Sequence, residues 1–414
     1  MKIAFITPRM IVGGAETYII RKAKWLTENG NEIVVISEGG CLVESLPKGV
    51  KHIQIKNIAD PPFSISYKEY QRVITTLAEV LTTEKINIIE AHNTYAIIYT
   101  FLTYRWHHIP FLLNILAEGS YDKCFELRAI TRILDKHHLY FTLTDKMNVY
   151  IEKKCHCDLH PTIIPIPYDN IQDYHSTTEP GTEEYILSVA RLSSEKMYIK
   201  HLIKDFGELL NENLIPQNVI LKIVGDGLLA DDIRKYAQYV NNLVGKESVK
   251  LLGTVTGDKL ESLFLRCSLY IGVGTTILIS AAYSKPTIIG SGIMQEYAFG
   301  FWGEKPDEDR NVIGGDESMI SRKTSYKQII QQFYSMPVEK RRLYGIHAHN
   351  LLIKHFSINQ VMTEWERCYA SILSYDIPKT FNKEIFCLSL YYNLLRPLKI
   401  IRNLIKRSLS SKTI

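Results

Sequence analysis

Short apolar runs alternate with helix-like segments along most of the chain, and this alternation is what most constrains the fold. The runs are short enough to be strands, and several segments between them show the spacing of apolar residues that is typical of helices. This order predicts βαβ units and parallel sheets. In the first part of the chain it predicts strands at Lys2–Thr7, Ile33–Ser37, Ile86–Ala91, Pro110–Ile115, Tyr140–Leu143 and Ile163–Pro165, and helices at Ala15–Asn29 and Tyr67–Glu84.

A polar, turn-rich segment at 168–183 interrupts the alternation and indicates a domain boundary. The alternation then restarts, with predicted strands at Tyr185–Val189, Val219–Val224, Val249–Leu252, Leu269–Ile271 and Thr287–Ile289, and helices at Leu202–Asn213, Leu229–Val244 and Phe356–Ser374. A length of 414 residues also favours two domains over one. We therefore predict an α/β protein with Rossmann-like domains at 1–170 and 171–355, a helix at 356–375 that crosses back to the first domain, and a basic tail at 376–414.

Charge and cysteine usage limit the classes of partner and compartment. The net charge of +5 is mild, and the cations form no basic stripe before the C-terminus, so we expect anionic small ligands or an anionic membrane surface and no nucleic acid. Seven cysteines without regular spacing indicate a reducing cytosol rather than a disulfide framework. Cys155 and Cys157 lie near His160, but no second ligand pair follows, so we predict no metal site there. For the acidic segment Asp307–Asp309 we predict a solvated loop rather than a cation site.

The C-terminal segment has a composition of its own. Residues 386–414 contain no acidic residue, and helical spacing places their cations and aliphatic side chains on opposite faces. This pattern resembles an interfacial membrane helix, and the alternatives are a solvated tail or one that covers another subunit. Met1–Thr7 is too short for a signal peptide, and no apolar window of about 20 residues is present. We therefore expect a cytoplasmic protein, peripheral on the inner face of the cell membrane through residues 386–414.

The segment Tyr185–Lys196 carries the most specific chemistry. It reads as a buried strand that ends in two cations, Arg191 and Lys196, which are separated by a turn. The planar guanidinium of arginine binds two phosphate oxygens, and the lysine ammonium adds a compact charge. This pair predicts a site for a polyphosphate.

Glycines follow three other strands at positions where a ligand approaches the backbone. Gly13 and Gly14 open the first helix, where N–H groups and the helix dipole attract anions, although a tight turn with positive φ is an alternative. Gly225 and Gly227 follow a strand of the second domain, and the next strand leads to Val255. At the carboxyl ends of parallel strands such loops face the ligand crevice.

The segment Ile271–Thr276 is the sharpest of these loops. Gly272 and Gly274 lie at a strand end, and Thr275 and Thr276 are predicted to cap the following helix and to donate to phosphate. A dinucleotide site is the alternative, but the third glycine of that motif is missing.

These motifs occur in the order found in a known family. Over 1–375 the chain resembles the retaining glycosyltransferases of GT-B architecture (group 1, family 4-like), whose two Rossmann-like domains face each other across a cleft. The resemblance implies that the loop Gly13–Glu16 approaches the transferred sugar and the acceptor. Val189–Lys196 is similar to the signature Gly-Arg-Leu-x3-Lys, whose Arg and Lys bind the donor diphosphate. Val224–Gly227 and Leu252–Val255 match landmarks near the nucleotide base.

The chain departs from the family at three functional positions. Both acids of the family's Glu-x7-Glu motif are replaced, by Ile271 and Ile279, and Leu116 stands where a histidine is common. His92 resembles a second histidine of the family that faces the cleft, and a structural role at the strand end is its alternative. Glu118 is the nearest polar candidate on the acceptor side.

The hypothesis from the sequence is a glycosyltransferase that transfers a sugar from a nucleoside-diphosphate donor to a lipid-linked or surface-polysaccharide acceptor with retention. Arg191, Lys196 and the N–H groups of Gly274–Thr276 would stabilise the leaving diphosphate, so neither a metal nor another cofactor is expected. The alternative is a catalytically silent relative that serves as a nucleotide-binding scaffold or partner subunit, because three family side chains are replaced.

Overall fold

The computed structural model describes residues 1–11, 13–116, 121, 124–171, 184–292, 294–314, 321–375, 383–387 and 390. The chain divides into two compact units. Unit 1 comprises Met1–Pro167 together with the described residues from Val361 onward, and unit 2 comprises Tyr168–Gln360.

Unit 1 is built on a seven-stranded parallel sheet. Its strands are β1 (Lys2–Ile6), β2 (Glu32–Ser37), β3 (Lys51–Gln54), β4 (Ile88–His92), β5 (Phe111–Ile115), β6 (Tyr140–Thr142) and β7 (Thr162–Ile163), in the spatial order β3-β2-β1-β4-β5-β6-β7. Its helices are α1 (Gly14–Glu28), a 3₁₀ turn at Cys41–Ser45, α2 (Tyr67–Thr83), α3 (Thr94–His107), α4 (Phe125–Asp135) and α5 (Asp145–Cys155). The central strands β4 and β5 are buried along their whole length, as in a parallel sheet that is covered on both faces.

Unit 2 contains a five-stranded parallel sheet and a two-stranded antiparallel hairpin. Its strands are β8 (Tyr185–Val189), β9 (Ile220–Val224), β10 (Val249–Leu251), β11 (Leu269–Gly272), β12 (Thr287–Ile289), β13 (Tyr297–Ala298) and β14 (Thr324–Ser325), and the larger sheet has the order β10-β9-β8-β11-β12. Its helices are a 3₁₀ turn at Ser194–Lys196, α6 (Tyr198–Asn211), α7 (Ala230–Val244), α8 (Gly257–Arg266), α9 (Thr276–Ala282), α10 (Pro306–Asp309), a 3₁₀ turn at Arg310–Gly314, α11 (Tyr326–Ser335) and α12 (Val338–Phe356). The last long helix, α13 (Ile358–Ser374), begins in unit 2 and belongs to unit 1 from Val361 onward.

Alternate residues along the strands of unit 2 pack into two different hydrophobic cores. Ile186 and Ile271 belong to the core formed with α6, α7 and α11, whereas Leu187 and Tyr270 belong to the core formed with α9 and α12. This alternation follows from the two-residue repeat of a strand, and it shows that helices cover both faces of the sheet.

The helix predicted at Phe356–Ser374 is present and begins two residues later, at Ile358. Helix α12 ends at Phe356, Ser357 is extended with φ −59° and ψ 139°, and α13 begins at Ile358. The break is held by Tyr168, whose N–H donates to Phe356 O at 2.7 Å and whose carbonyl accepts from Ile358 N at 2.8 Å. This bridge to a distant backbone segment therefore fixes the point at which α13 begins.

The predicted solvated loop at Asp307–Asp309 is wrong for Asp309, whereas Asp307 is exposed. The segment forms α10, and the carboxylate of Asp309 is buried. It accepts hydrogen bonds from Gly303 N at 2.9 Å and Lys305 N at 3.0 Å, and it forms an ion pair with Arg322. Burial raises the pKa of Asp309 to about 6, although the Arg322 charge opposes the shift.

In the part of the chain that the structure describes, no group of three or more His, Cys, Asp and Glu side chains is arranged to hold a metal ion. No helix among the described residues is both long and apolar enough to cross a bilayer. The tail at 386–414, for which a membrane surface was predicted, lies outside the described residues except for 386, 387 and 390.

Candidate functional site

Both sheets reverse their strand order at a point that adjoins the predicted site residues. The reversal lies between β1 and β4 in unit 1 and between β8 and β11 in unit 2. In open parallel sheets, ligands bind at the carboxyl edge beside such a switch point. Gly13 follows β1 and His92 ends β4, while Arg191 follows β8 and Gly274 follows β11. Each unit thus presents its candidate residues where its topology favours a ligand.

In unit 2, the segment that carries Arg191 runs beside the glycine loop that follows β9. Ala190 N donates to Val224 O at 3.0 Å, and Leu192 N donates to Asp226 O at 2.9 Å. These two bonds continue the β8–β9 ladder past the ends of both strands. The backbone on either side of Arg191 is therefore fixed by main-chain hydrogen bonds.

Gly225 and Gly227 make this close approach of the two backbones feasible. Both have positive φ, 140° and 154° respectively. A Cβ at Gly225 would lie 1.9 Å from Ala190 O, and a Cβ at Gly227 would lie 2.4 Å from Leu192 O. Side chains at these positions would push the Arg191 segment away. The two glycines were predicted to let a ligand approach. The structure shows that they are needed for the close packing of the protein's own Arg191 segment against this loop.

The loop after β10 joins the same network. Gly225 N donates to Gly253 O at 2.8 Å, so the loops after β8, β9 and β10 are linked in sequence along the edge. Val255, predicted to lie near the nucleotide base, is half-buried and packs against the core on the α9 side of the sheet.

The turn at Arg191–Lys196 concentrates positive charge at this edge. Arg191 is exposed, and Lys196 is half-buried at the end of the 3₁₀ turn. The pKa of Glu195, which lies between them, is lowered by hydrogen bonds to its own N–H and to Ser193, and further by the charges of Arg191 and Lys196. The structure thus presents two cations, which suit an anionic ligand.

The loop after β11 differs from the sequence prediction. Gly274 has φ +68°, as expected for a glycine turn. Thr275 is exposed and makes no capping bond with its side chain, and the Thr276 hydroxyl donates to Val273 O at 3.1 Å. The prediction that these threonines cap α9 is therefore wrong. The Thr276 hydroxyl in turn accepts a hydrogen bond from Tyr270 Oη at 2.5 Å, a contact that was not predicted.

The two isoleucines that replace family acids lie in different environments. Ile271 lies within β11 and is fully buried in the core with α6 and α7. Ile279 lies on α9 and is half-buried against the opposite core. An acid at position 271 would therefore be buried in the core, whereas one at position 279 would have partial access to solvent.

In unit 1, the loop after β1 opens α1 without the positive φ considered as an alternative. Gly13 is extended with φ −170°, and its carbonyl accepts from Thr17 N at 3.1 Å and from the Thr17 hydroxyl at 2.9 Å. A Cβ at Gly13 would lie 2.4 Å from Glu16 Oε2, and one at Gly14 would have open space. Partial burial raises the pKa of Glu16. Val12 lies outside the described residues.

His92 is fully buried at the end of β4 and pairs in register with Asn114 of β5. Its ring lies edge-on to Phe5 and Tyr18, at centroid distances of 5.8 and 6.2 Å. Burial lowers the pKa of His92 to about 4, although the charge of Glu90 opposes the shift, so the imidazole is neutral at pH 7. Within the described residues neither ring nitrogen has a hydrogen-bond partner, and Nε2 lies 3.3 Å from Glu90 Oε1.

Beside His92 lies a buried ionic cluster that the sequence did not predict. Lys22 Nζ contacts both oxygens of Glu90 at 2.9 and 2.7 Å, and it lies 3.0 Å from the centre of the Trp365 ring. Asn114 Nδ2 donates to Glu90 Oε1 at 2.8 Å, and the Tyr369 hydroxyl donates to Oε2. The cluster joins α1, β4, β5 and α13 within unit 1.

The charge state of this cluster follows from its donors. Burial lowers the pKa of Lys22 to about 7, and the Glu90 carboxylate opposes that shift. Burial alone would raise the pKa of Glu90, but the Lys22 charge and the bonds from Lys22 and Tyr369 keep it below its usual value. Glu90 is therefore ionised at neutral pH, with both of its oxygens in contact with Lys22 Nζ. One sequence signal was present, namely a glutamate inside the apolar run Ile88–His92.

Two further positions singled out from the sequence are Leu116 and Glu118. Glu118 lies outside the described residues, and Leu116 is half-buried directly after β5.

Comparisons with known proteins agree with this architecture. Residues 12–115 match the family model described as Glycosyltransferase Family 4. The chain is 24% identical to an uncharacterised glycosyltransferase of Methanocaldococcus jannaschii, with 71% of this chain and 82% of that protein covered.

Solved structures of glycosyltransferases share the fold. A glycosyltransferase from Rickettsia africae ESF-5 superposes with a TM-score of 0.67 at 18% identity, covering 91% of this chain and 99% of that one. HepE of Anabaena in complex with UDP-glucose superposes with a TM-score of 0.60 at 15% identity, covering 90% of this chain and 100% of that one. The fold is therefore that of the GT-B glycosyltransferases with two Rossmann-like domains. The family 4-like domain and the relative in Methanocaldococcus jannaschii together indicate that this protein is a glycosyltransferase.

Proposed function

We propose that the protein transfers a sugar from a nucleoside-diphosphate donor to a lipid-linked or surface-polysaccharide acceptor, with retention of anomeric configuration. Unit 2 binds the donor through Arg191 and Lys196, and unit 1 binds the acceptor. The observation that carries the donor assignment is the cationic turn at the switch point of the unit 2 sheet, fixed by the backbone of the glycine loop.

The chemistry of the leaving group explains the role of the two cations. Breaking the bond between sugar and phosphate leaves a diphosphate that carries additional negative charge. The Arg191 fork binds two phosphate oxygens, the Lys196 ammonium neutralises a third, and the backbone N–H groups of Gly274–Thr276 add donors. Groups fixed in advance stabilise that charge without reorganising during the reaction, so we propose that no metal is required.

The nucleotide is assigned to the neighbouring loops. Gly225, Gly227 and Val255 lie on the side of the edge toward β10, where we propose that the nucleoside packs. The HepE neighbour, which has the same fold, binds UDP-glucose. This likeness supports a nucleotide sugar as donor without fixing the base or the sugar of this protein.

The acceptor side is assigned to the carboxyl edge of the unit 1 sheet. We propose that the N-terminal end of α1, at Gly13–Gly14, borders the acceptor. The neutral His92 is fully buried at this edge, so we propose that it supports the edge from within unit 1 and does not contact the sugar. We keep Glu118 as the polar candidate on this side.

Membrane association is a separate part of the proposal. Residues 386–414 lack acidic side chains and combine cations with aliphatic residues, so we propose that they bind an anionic membrane surface. Cosedimentation with vesicles of anionic and of neutral lipids tests this, with a chain truncated after residue 385 as control. Binding to anionic vesicles that survives the truncation would contradict the assignment to the tail.

The function is tested by a donor-hydrolysis and transfer assay over a panel of nucleotide sugars. We expect turnover of at least one donor, and we expect the variant Arg191→Ala/Lys196→Ala to lose at least about 100-fold in kcat/KM, because each charged hydrogen bond contributes roughly 1.5–3 kcal/mol. The anomeric configuration of the product, read by NMR, tests retention.

A matched variant controls for the loss of one arginine and one lysine. Arg234 and Lys259 are exposed on α7 and α8 of the same unit, so Arg234→Ala/Lys259→Ala should turn over like the unmodified protein. Undiminished activity in the Arg191/Lys196 variant would contradict the roles assigned to these cations.

A further inference from the structure

Tyr270 lies between the two segments of unit 2 that are proposed to bind the diphosphate. Its side chain is fully buried, and its hydroxyl lies 2.5 Å from Thr276 Oγ1 and 3.5 Å from Val189 O. Val189 ends β8 two residues before Arg191, and Thr276 begins α9 directly after the Gly274 loop. One phenol hydroxyl therefore contacts the backbone on one side of the switch point and a side chain on the other.

The protons of these hydroxyls can be assigned from the distances. The Tyr270 hydroxyl has a single proton, and the 2.5 Å distance places it on the bond to Thr276 Oγ1. The Thr276 hydroxyl in turn donates its own proton to Val273 O at 3.1 Å. Tyr270, Thr276 and Val273 thus form a chain of hydrogen bonds that closes the loop between β11 and α9. This leaves Thr276 without a proton to donate to a ligand.

The position of the phenol also explains Gly272. A Cβ at Gly272 would lie 2.2 Å from Tyr270 Oη, so any larger residue would displace the hydroxyl. Gly272 has no positive φ, so backbone strain is not the reason for glycine at this position. Glycine at position 272 therefore leaves the space that the Tyr270 hydroxyl occupies when it bonds to Thr276.

The surroundings keep the phenol a donor. Burial raises the pKa of Tyr270 well above its usual value, so the hydroxyl stays protonated over the range in which the protein works. The ring packs against Phe264 at a centroid distance of 5.2 Å, which holds its orientation.

We propose that Tyr270 is a positioning residue for donor binding, which fixes the conformation of the Gly274–Thr276 loop at the end of β11. The inference rests on the proposed function, since this loop is proposed to bind the donor diphosphate. Tyr270 acts through the loop and does not contact the donor itself.

The test is isothermal titration of nucleoside diphosphates into the full chain and its Tyr270→Phe variant, together with donor kinetics. Removing the hydroxyl releases the loop, so Kd and donor KM should rise about tenfold while kcat at saturating donor changes less than threefold. Thr276→Val should have the same effect, Thr276→Ser should retain the affinity of the unmodified protein, and Tyr270→Phe/Thr276→Val should be no worse than either single variant.

A second buried phenol provides the control. The hydroxyl of Tyr334, on α11, lies 3.4 Å from Ser268 Oγ at the opposite end of β11, so Tyr334→Phe should leave Kd unchanged. Thermal unfolding of each variant separates a loss of folded protein from a loss of affinity, and Thr276→Val retains the test if Tyr270→Phe does not fold.

These measurements distinguish a failure of the positioning role of Tyr270 from a failure of the proposed function. If the unmodified chain binds a nucleoside diphosphate, Arg191→Ala/Lys196→Ala abolishes that binding and Tyr270→Phe binds normally, the positioning role is overturned and the proposed function stands. If the unmodified chain binds none of the nucleoside diphosphates, both are overturned. A Tyr270→Phe variant that loses kcat while keeping Kd would also contradict positioning for donor binding.

Discussion

The ammonium of Lys22 lies 2.7 Å from Glu90 Oε2, and both side chains are completely buried in unit 1. Breaking such a pair by removing one partner leaves an uncompensated charge in the core. We therefore expect Lys22→Met to lower the free energy of unfolding by about 3–5 kcal/mol, measured by urea denaturation. Lys259→Met, at an exposed position, should change it by less than about 0.5 kcal/mol.

A double variant distinguishes a buried charge from lost packing. In Lys22→Met/Glu90→Gln neither charge remains, so the total loss should be clearly smaller than the sum of the two single losses. Additive losses would show that the ion pair contributes no coupling energy, and would contradict this account of the cluster.

Stability should fall in mild acid because of His92. Its pKa is lowered to about 4 in the folded protein, against about 6.5 for an exposed histidine, so between these values the unfolded chain binds the additional proton. The stabilisation is present above pH 6.5 and is lost as the pH falls toward 4. From pH 7 to pH 5 this should remove about 2 kcal/mol of unfolding free energy.

The variant His92→Asn should lose that share of the pH dependence. His107, whose pKa is also lowered to about 4 by burial, remains and serves as an internal reference for the residual slope. Urea unfolding at pH 5 and pH 7 measures both proteins. An unchanged slope in His92→Asn would show that His92 titrates normally in the folded state.

Restoring glutamate at the two family acid positions, 271 and 279, should have different effects on stability and on nucleoside diphosphate binding. Ile279 is half-buried on α9, so Ile279→Glu should fold and, if the ribose site persists, bind nucleoside diphosphate roughly 10- to 100-fold more tightly. Ile279→Gln has nearly the same size and no charge, and it should gain less. Ile271→Glu would bury a charge in the core and should cost about 3 kcal/mol or more. Equal stability losses for both glutamates would contradict these placements.

Gly225 should be intolerant of even one methyl group. A Cβ there meets Ala190 O at 1.9 Å, so Gly225→Ala should displace the Arg191 segment and weaken nucleoside diphosphate binding at least about tenfold, as measured by calorimetry. Gly245 also has positive φ, but a Cβ there meets nothing within 4 Å. Gly245→Ala should therefore cost stability alone, and normal affinity in Gly225→Ala would contradict the role given to the glycine.

The local pattern of apolar residues was sufficient to predict most of the strands. The bounds of Tyr185–Val189 and Thr287–Ile289 match the prediction, because buried parallel strands are short apolar runs with clear ends. Helix α3 was missed because every residue from Ala96 to Tyr104 is buried, which leaves no polar face and hence no helical period. Strand β3 was missed because Lys51–Gln54 is largely polar.

The candidate site was predictable only in part. The sequence predicted where Arg191, Gly225 and Gly274 fall relative to the strands, since each follows an apolar run. It could not show that Tyr369, 279 positions from Glu90 in the chain, donates to that carboxylate, because such contacts depend on tertiary packing. The Tyr270–Thr276 bond is local, but nothing in the sequence indicates the direction of a buried phenol.

The most direct test of the central claim is a crystal structure of the protein with a nucleoside diphosphate bound. The account predicts that the Arg191 guanidinium and the Lys196 ammonium both lie within hydrogen-bond distance, about 2.7–3.2 Å, of the diphosphate oxygens at the carboxyl edge of β8 and β11. A diphosphate bound elsewhere, or bound at this edge with Arg191 and Lys196 turned away from it, would contradict the account.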